Sequence, residues 1–193
     1  MRHANKPGLT RKYAPAFLAA VVMLLLGSTS ARAQSSESDG CSDAMLTGDY
    51  AFTISGQIFV PNGPTIQREG VAMTHFDGAG NLSQVDFVLS SPNAITPPGF
   101  SLPTDPVTGF HIQEKGTYTV YSDCTGTFTI NFPPATSKIG PIPGAVLVAK
   151  FILGNGGRSI QAIVTSLTPP GAPEPIPALI RSEGHKLQPL LMD

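Results

Sequence analysis

The chain has no tryptophan, two cysteines among 193 residues, and aromatic side chains at only 7%. Its longest uncharged apolar stretch, Ala14 to Leu26, falls short of the roughly 20 residues that an ordinary membrane helix needs. No nucleophile elbow, phosphate-binding loop or helical zinc-protease motif occurs. The turn at Asp77–Asn81 lacks the ligand series of a calcium loop. Helical periodicity is nearly missing after the first 33 residues, which argues against helix bundles and α/β folds. Without tryptophan, exposed carbohydrate platforms have little to build on, and the strand aromatics read as core.

What is present begins at the N-terminus. Arg2, Lys6, Arg11 and Lys12 precede the apolar run, and Ser28 to Ala33 is a small-residue stretch ending in Ala31-Arg32-Ala33. This layout predicts a secretory signal peptide over residues 1–33, cleaved after Ala33. Residues 34–44, with Cys41, then form a flexible lead-in, and 45–193 form one domain with a C-terminal tail. Five of the twelve basic residues (Arg2, Lys6, Arg11, Lys12, Arg32) and none of the thirteen acidic ones lie in the signal. Seven against thirteen remain, so a whole-chain net charge of −1 becomes −6. Such a surface repels phosphate backbones and anionic membranes; no nucleic-acid partner and no stable membrane insertion are expected. The protein is expected to be secreted or periplasmic.

In an exported domain, Cys41 and Cys124 are most simply a disulfide. Closing a loop of about 80 residues stabilises by about 4.5 kcal/mol in the chain-entropy model. No histidine or second cysteine stands at ligand spacing near either cysteine, and the mature histidines (His75, His111, His185) carry no zinc signature. No metal and no cofactor are expected.

Short stretches rich in Val, Ile, Thr, Phe and Tyr alternate with Gly, Pro and Asn, which predicts an all-β chain. Strands are expected near Tyr50–Val60, Ile66–Phe76, Leu82–Leu89, Gly116–Ser122, Thr127–Phe132, Ala145–Leu153 and Arg158–Leu167, with an eighth near Ala178–Ser182. Tight turns at Asp77–Asn81, Asp123–Gly126 and Gly154–Gly157 join pairs of them into hairpins. Proline-rich connections at Ser91–Pro106, Pro133–Pro143 and Pro169–Pro177 are candidates for the rim of one barrel end. The expected fold is a single antiparallel up-and-down β-barrel of about eight strands, with a β-sandwich as the alternative.

Register follows from the turns. Pairing Phe76 with Leu82 sets Met73 against Val85, Val71 against Phe87 and Glu69 against Leu89. The odd-numbered face, with Val71, Met73, Val85, Phe87 and Leu89, is expected to face the core, and Ala72, Thr74, Gln84 and Asp86 to face solvent. Glu69, Met73 and Phe87 are therefore the candidate ligand contacts of the barrel interior. A carboxylate at position 69 is either a polar anchor or proton-transfer group among apolar neighbours, or a strand-end group in water. His75, about 20 Å along the strand, is no partner for it. In the third hairpin, Leu153 is set against Arg158 and Phe151 against Ile160. Val148 and Ile163 then share a second, partly apolar face that the C-terminal tail is a candidate to cover.

Three strings belong together: Leu46-x-Gly48-x-Tyr50-x-Phe52 with Gly56, then Asp77-Gly78-x-Gly80-Asn81, then Gly116-x-Tyr118-x-Val120 followed by Asp123-Cys124-x-Gly126. The chain from Cys41 to Phe132 resembles a group of small exported bacterial proteins of unassigned function, barrels of the lipocalin or allene-oxide-cyclase-like kind. The resemblance implies a barrel and carries no catalytic residue to any position here. The expected function is non-catalytic binding of a small apolar ligand in the barrel mouth. The alternatives are a cyclase- or isomerase-like enzyme using a lumen carboxylate such as Glu69, and a cell-surface or structural interaction module. Oligomeric state is not given by the sequence.

Overall fold

The structure, a computed structural model, describes residues 40–92, 102–137 and 140–188. The expected signal peptide, most of the lead-in and the last five residues lie outside the described residues. Ten strands follow in chain order: β1 (Thr47–Phe59), β2 (Thr65–Asp77), β3 (Asn81–Ser91), β4 (His111–Val120), β5 (Thr125–Asn131), β6 (Ala135–Ser137), β7 (Gly140–Ile142), β8 (Val146–Gly154), β9 (Ser159–Thr168) and β10 (Ala178–Lys186). Eight of them close an antiparallel barrel in the order β1-β10-β9-β8-β5-β4-β3-β2, and β6-β7 is a separate two-stranded hairpin. Each barrel strand pairs with its neighbour along the chain, apart from that excursion and the β1–β10 seam. The fold is thus the expected up-and-down barrel, and closure replaces the sandwich alternative. No helix among the described residues is long and apolar enough to cross a membrane.

Alternation within strands sets the inside. In β1, Tyr50, Phe52 and Ile58 are buried and Ile54 is partly so, while Asp49, Thr53 and Gln57 are not buried. Bulky inward side chains face glycine on neighbouring strands. Phe52 pairs with Gly184 and Phe151 with Gly126. A Cβ at Gly184 would stand 2.3 Å from the Phe52 ring, so the ring occupies the space a side chain would need.

The two barrel ends differ. The three tight turns all lie at one end, where Asp77 Oδ1 accepts the backbone N–H of Ala79 at 2.7 Å and of Asn81 at 2.9 Å. A short 3₁₀ turn at Asp43–Met45 crosses this end, and Leu46 is fully buried beneath it. Tyr50, Phe76 and Tyr118 stack edge to face at centroid distances of 5.3 and 5.1 Å. The two tyrosine hydroxyls are satisfied by backbone: Tyr118 donates to Leu46 O at 2.9 Å, and Tyr50 donates to Gly157 O. Burial raises the pKa of both phenols. The Cys41–Cys124 disulfide and a bond from Val120 N–H to Asp43 Oδ1 at 2.6 Å fasten the leading segment there. The proline-rich connections leave β3, β5 and β9 at the opposite end. There Ile58, Ile66, Leu167 and Ile180 form a second apolar cluster.

One expectation fails on its face, though not on its register. The β2–β3 pairing is Phe76↔Leu82, Met73↔Val85, Val71↔Phe87 and Glu69↔Leu89, as the turn predicts. Yet Val71, Met73, Phe87 and Leu89 lie outside, between 41% and 63% exposed, and Ala72, Thr74 and Asp86 lie inside, at most 5% exposed. The cause is β1. Its aromatic face is unambiguous, and Tyr50 pairs with Thr74 and Phe52 with Ala72. Cross-strand partners share a face, so β1 turns the even-numbered residues of β2 inward.

The third hairpin closes on Gly154↔Ser159, so Phe151 meets Ala162 rather than Ile160. A shift of two residues preserves the face, and Phe151, Ala149, Ile160 and Ala162 are buried as expected. Ala178–Lys186 does not cover Val148 and Ile163; it joins the sheet edge to edge beside β9.

Candidate functional site

Inverting the face of β2 and β3 brings polar side chains into the barrel, and these need partners. They form a ladder across three strands. Thr74 Oγ1 donates to Gln84 Oε1 at 2.7 Å, and Gln84 Nε2 donates to Glu114 Oε2 at 2.8 Å. Asp86 Oδ1 and His111 Nδ1 are 2.7 Å apart, and Arg68 Nη1 donates to Ser90 Oγ at 2.7 Å.

His111 and Glu114 reach this wall through a bulge. Residues three apart in a regular strand point to opposite faces. Here β3 and β4 pair Gln84 with Glu114 and Asp86 with His111, with a register shift between them. Two residues of β4, Ile112 and Gln113, therefore stand opposite Val85 alone. Gln113 takes a φ of 69°, an uncommon left-handed conformation for a non-glycine residue. The bulge turns His111 inward beside Glu114. The loop before it holds the bulge in place: Ile112 N–H donates to Pro103 O at 3.0 Å, and Asp105 Oδ1 accepts the backbone N–H groups of Val107 and Thr108 at 3.0 and 2.7 Å.

The electrostatics are unusual for a barrel wall. Glu114 is 1% exposed. Burial, then the charge of Asp86, push its carboxyl up to about 9, so it is protonated at neutral pH. Its Oε1 is buried and receives no N–H or hydroxyl donor, and the protonated carboxyl is hydrogen-bonded to Asp86. Burial lowers the pKa of Arg68, and the carboxylate of Asp86 partly offsets that. Asp86, His111 and Glu114 each place one potential ligating atom within 4.8 Å of the others.

Against this wall lies a cavity of about 370 Å³. Arg68, Thr74, Gln84, Asp86 and His111 line one side, and apolar residues such as Phe52, Phe128, Ile130 and Leu147 line the rest. It extends to Leu102, Pro169 and Pro170 in the proline-rich connections.

The residues singled out from sequence fall elsewhere. Glu69, Met73 and Phe87 are all on the outer face, and Phe87 packs on Phe110 at a centroid distance of 5.9 Å. Glu69 is a solvent-facing carboxylate, which removes it as a lumen acid or polar anchor. His75 pairs with Asp49 at 2.8 Å and His185 with Glu183 at 3.3 Å, both on the surface. Among the described residues, His111 is the histidine that reaches the interior. By its face Asp86 is expected in solvent; from sequence His111 goes no further than the missing zinc signature, and Glu114 is not singled out. The legible signal was their spacing: both point inward only where a bulge intervenes. No protein-family model, curated protein or solved structure matches the chain.

Proposed function

We propose that the barrel binds one small amphipathic molecule, with its apolar body in the lumen and a polar oxygen-bearing end against the β2–β3–β4 wall. The observation that carries this reading is the 370 Å³ cavity with a hydrogen-bonding wall on one side and apolar walls on the others. Ligand pockets run from about 300 to 1,000 Å³ and combine apolar lining with a few placed polar groups. Arg68 and His111 supply donors for a carbonyl or carboxylate oxygen. The disulfide fits an oxidising, extracytoplasmic location, in line with export to the periplasm or beyond.

The test is native mass spectrometry of protein purified from the exported fraction, followed by titration with a fluorescent fatty-acid probe. A co-purified molecule, or saturable probe binding lost in Ser182→Phe, which places a ring in the cavity that Ser182 of β10 lines, is the expected result. No bound molecule, together with probe binding indifferent to that substitution, refutes the reading.

The His111–Asp86 pair beside the cavity favours a second reading, an isomerase-like proton transfer, with these residues in place of Glu69. Recovery of a chemically altered ligand after incubation distinguishes it from simple binding.

A further inference from the structure

We propose that Asp86, His111 and Glu114 form a binding site for a single first-row divalent cation, of the Zn²⁺ or Mn²⁺ kind, in the polar wall of the barrel. The inference goes beyond small-molecule binding and does not depend on it.

Three observations carry it. The first is the donor set. Two carboxylates and one imidazole neutralise a dication, and mixed nitrogen–oxygen ligation suits borderline metals better than calcium, which takes six to eight oxygens. The second is geometry. Metal–ligand bonds of about 2.0–2.2 Å require ligand atoms about 3–4 Å apart. The three donor atoms lie within 4.8 Å of one another, with Asp86 Oδ1 and His111 Nδ1 at 2.7 Å. Shifts of a few tenths of an ångström on either side bring them to that range. The third is Glu114 Oε1, in a side chain 1% exposed, which receives no N–H or hydroxyl donor, the carboxyl being hydrogen-bonded to the Asp86 carboxylate. A cation beside these two buried carboxylates would take over the role of the proton that now offsets their repulsion.

The surroundings complete the site. Gln84 Nε2 holds the other oxygen of Glu114 at 2.8 Å and fixes the carboxyl plane, as supporting residues do for metal ligands. Asp86 and His111 also border the cavity. Three protein ligands leave a coordination position open toward it, the arrangement of sites whose metal also takes an exogenous ligand. On binding, the cation takes the place of the proton between His111 and Asp86. The imidazole keeps one proton, now on Nε2, and one proton leaves the Glu114 carboxyl.

The experiment is calorimetric titration of the full exported protein, stripped with chelator, with Zn²⁺ and separately with Mn²⁺, Ca²⁺ and Mg²⁺. One Zn²⁺ or Mn²⁺ per chain is expected, with Ca²⁺ and Mg²⁺ binding far more weakly. Glu114→Gln keeps the side-chain shape and His111→Ala removes the imidazole; each is expected to weaken binding about a hundredfold while the β circular-dichroism spectrum is retained. The double variant His75→Ala/His185→Ala removes the surface histidine–carboxylate pairs and is expected to keep full affinity. Absence of Zn²⁺ and Mn²⁺ binding, or binding lost with the surface histidines and kept in Glu114→Gln, overturns the proposal. Should His111→Ala fail to fold, Glu114→Gln with Co²⁺ absorption as the readout decides alone: an unchanged visible spectrum refutes it. None of these outcomes touches the fatty-acid probe assay, so the two readings fail separately.

Discussion

Glu114→Gln is the substitution whose effect on stability can be worked out furthest. In the folded barrel the carboxyl titrates at about 9, against an ordinary value of 4.5. Between those two values the folded state holds a proton that the unfolded state has released. The unfolded state binds fewer protons, so stability falls as pH rises. The contribution of the protonated carboxyl is fully present below about pH 4.5 and is lost as pH climbs through about 9. One proton corresponds to a slope of about 1.4 kcal/mol per pH unit. Glutamine cannot ionise, so the variant lacks this slope while all other titrating groups stay common to both proteins. Between about pH 5.5 and 7.5 the variant is expected to gain on the parent by about 2–3 kcal/mol. Urea denaturation in chelator at several pH values in that window measures the difference, the chelator keeping the cluster free of cations. Parallel stability curves for the two proteins would refute the buried, protonated state of Glu114.

Replacing Cys41 and Cys124 by serine frees a loop with a sequence separation of 83, and a loss of about 4.5 kcal/mol is expected by chemical denaturation. Tyr118→Phe removes the donor to Leu46 O beneath the capped end, and a loss of about 1–2 kcal/mol is expected from the same measurement. Gly184→Ala drives a methyl to within 2.3 Å of the Phe52 ring, so a destabilisation of about 1–3 kcal/mol should appear in thermal melts. N-terminal sequencing of the exported protein is expected to begin at Gln34; a chain retaining residues 1–33 would refute the cleavage site.

Much of the barrel was legible because its turns are chemically explicit. Asp77-Gly78-Ala79-Gly80-Asn81 specifies a tight hairpin, and the pairing of β2 with β3 follows from it residue by residue. The inside was misread for a reason that is equally specific. Along the middle of these strands Val71, Met73, Val85 and Phe87 outweigh Ala72, Thr74, Gln84 and Asp86 in hydrophobicity. A local pair of strands cannot report which face its neighbours impose, and here β1 decides it through Tyr50 and Phe52. Phe76 and Leu82, flanking the turn on the even face, were the local hint in the other direction, and both are buried. The candidate site was illegible for the same reason. A wall of Thr, Gln, Asp and Glu reads as solvated surface until the barrel closes around it. The left-handed Gln113 that aims His111 has no glycine or asparagine to announce it.

The seam between β1 and β10 joins Tyr50 to Lys186 and Ile58 to Ala178, the first barrel strand to the last. A chain synthesised from its N-terminus therefore waits for nearly its whole length before the ring can shut. During that wait β1 has one edge without its final partner, the kind of edge that recruits other chains. Cys124 lies between β4 and β5, so the covalent link to Cys41 can form while β8, β9 and β10 are still to arrive. The link then ties the turn between β4 and β5 to the segment leading into β1, shrinking the search that the late strands must complete. In this order of events the disulfide guards the nascent half-barrel as much as it stabilises the finished one.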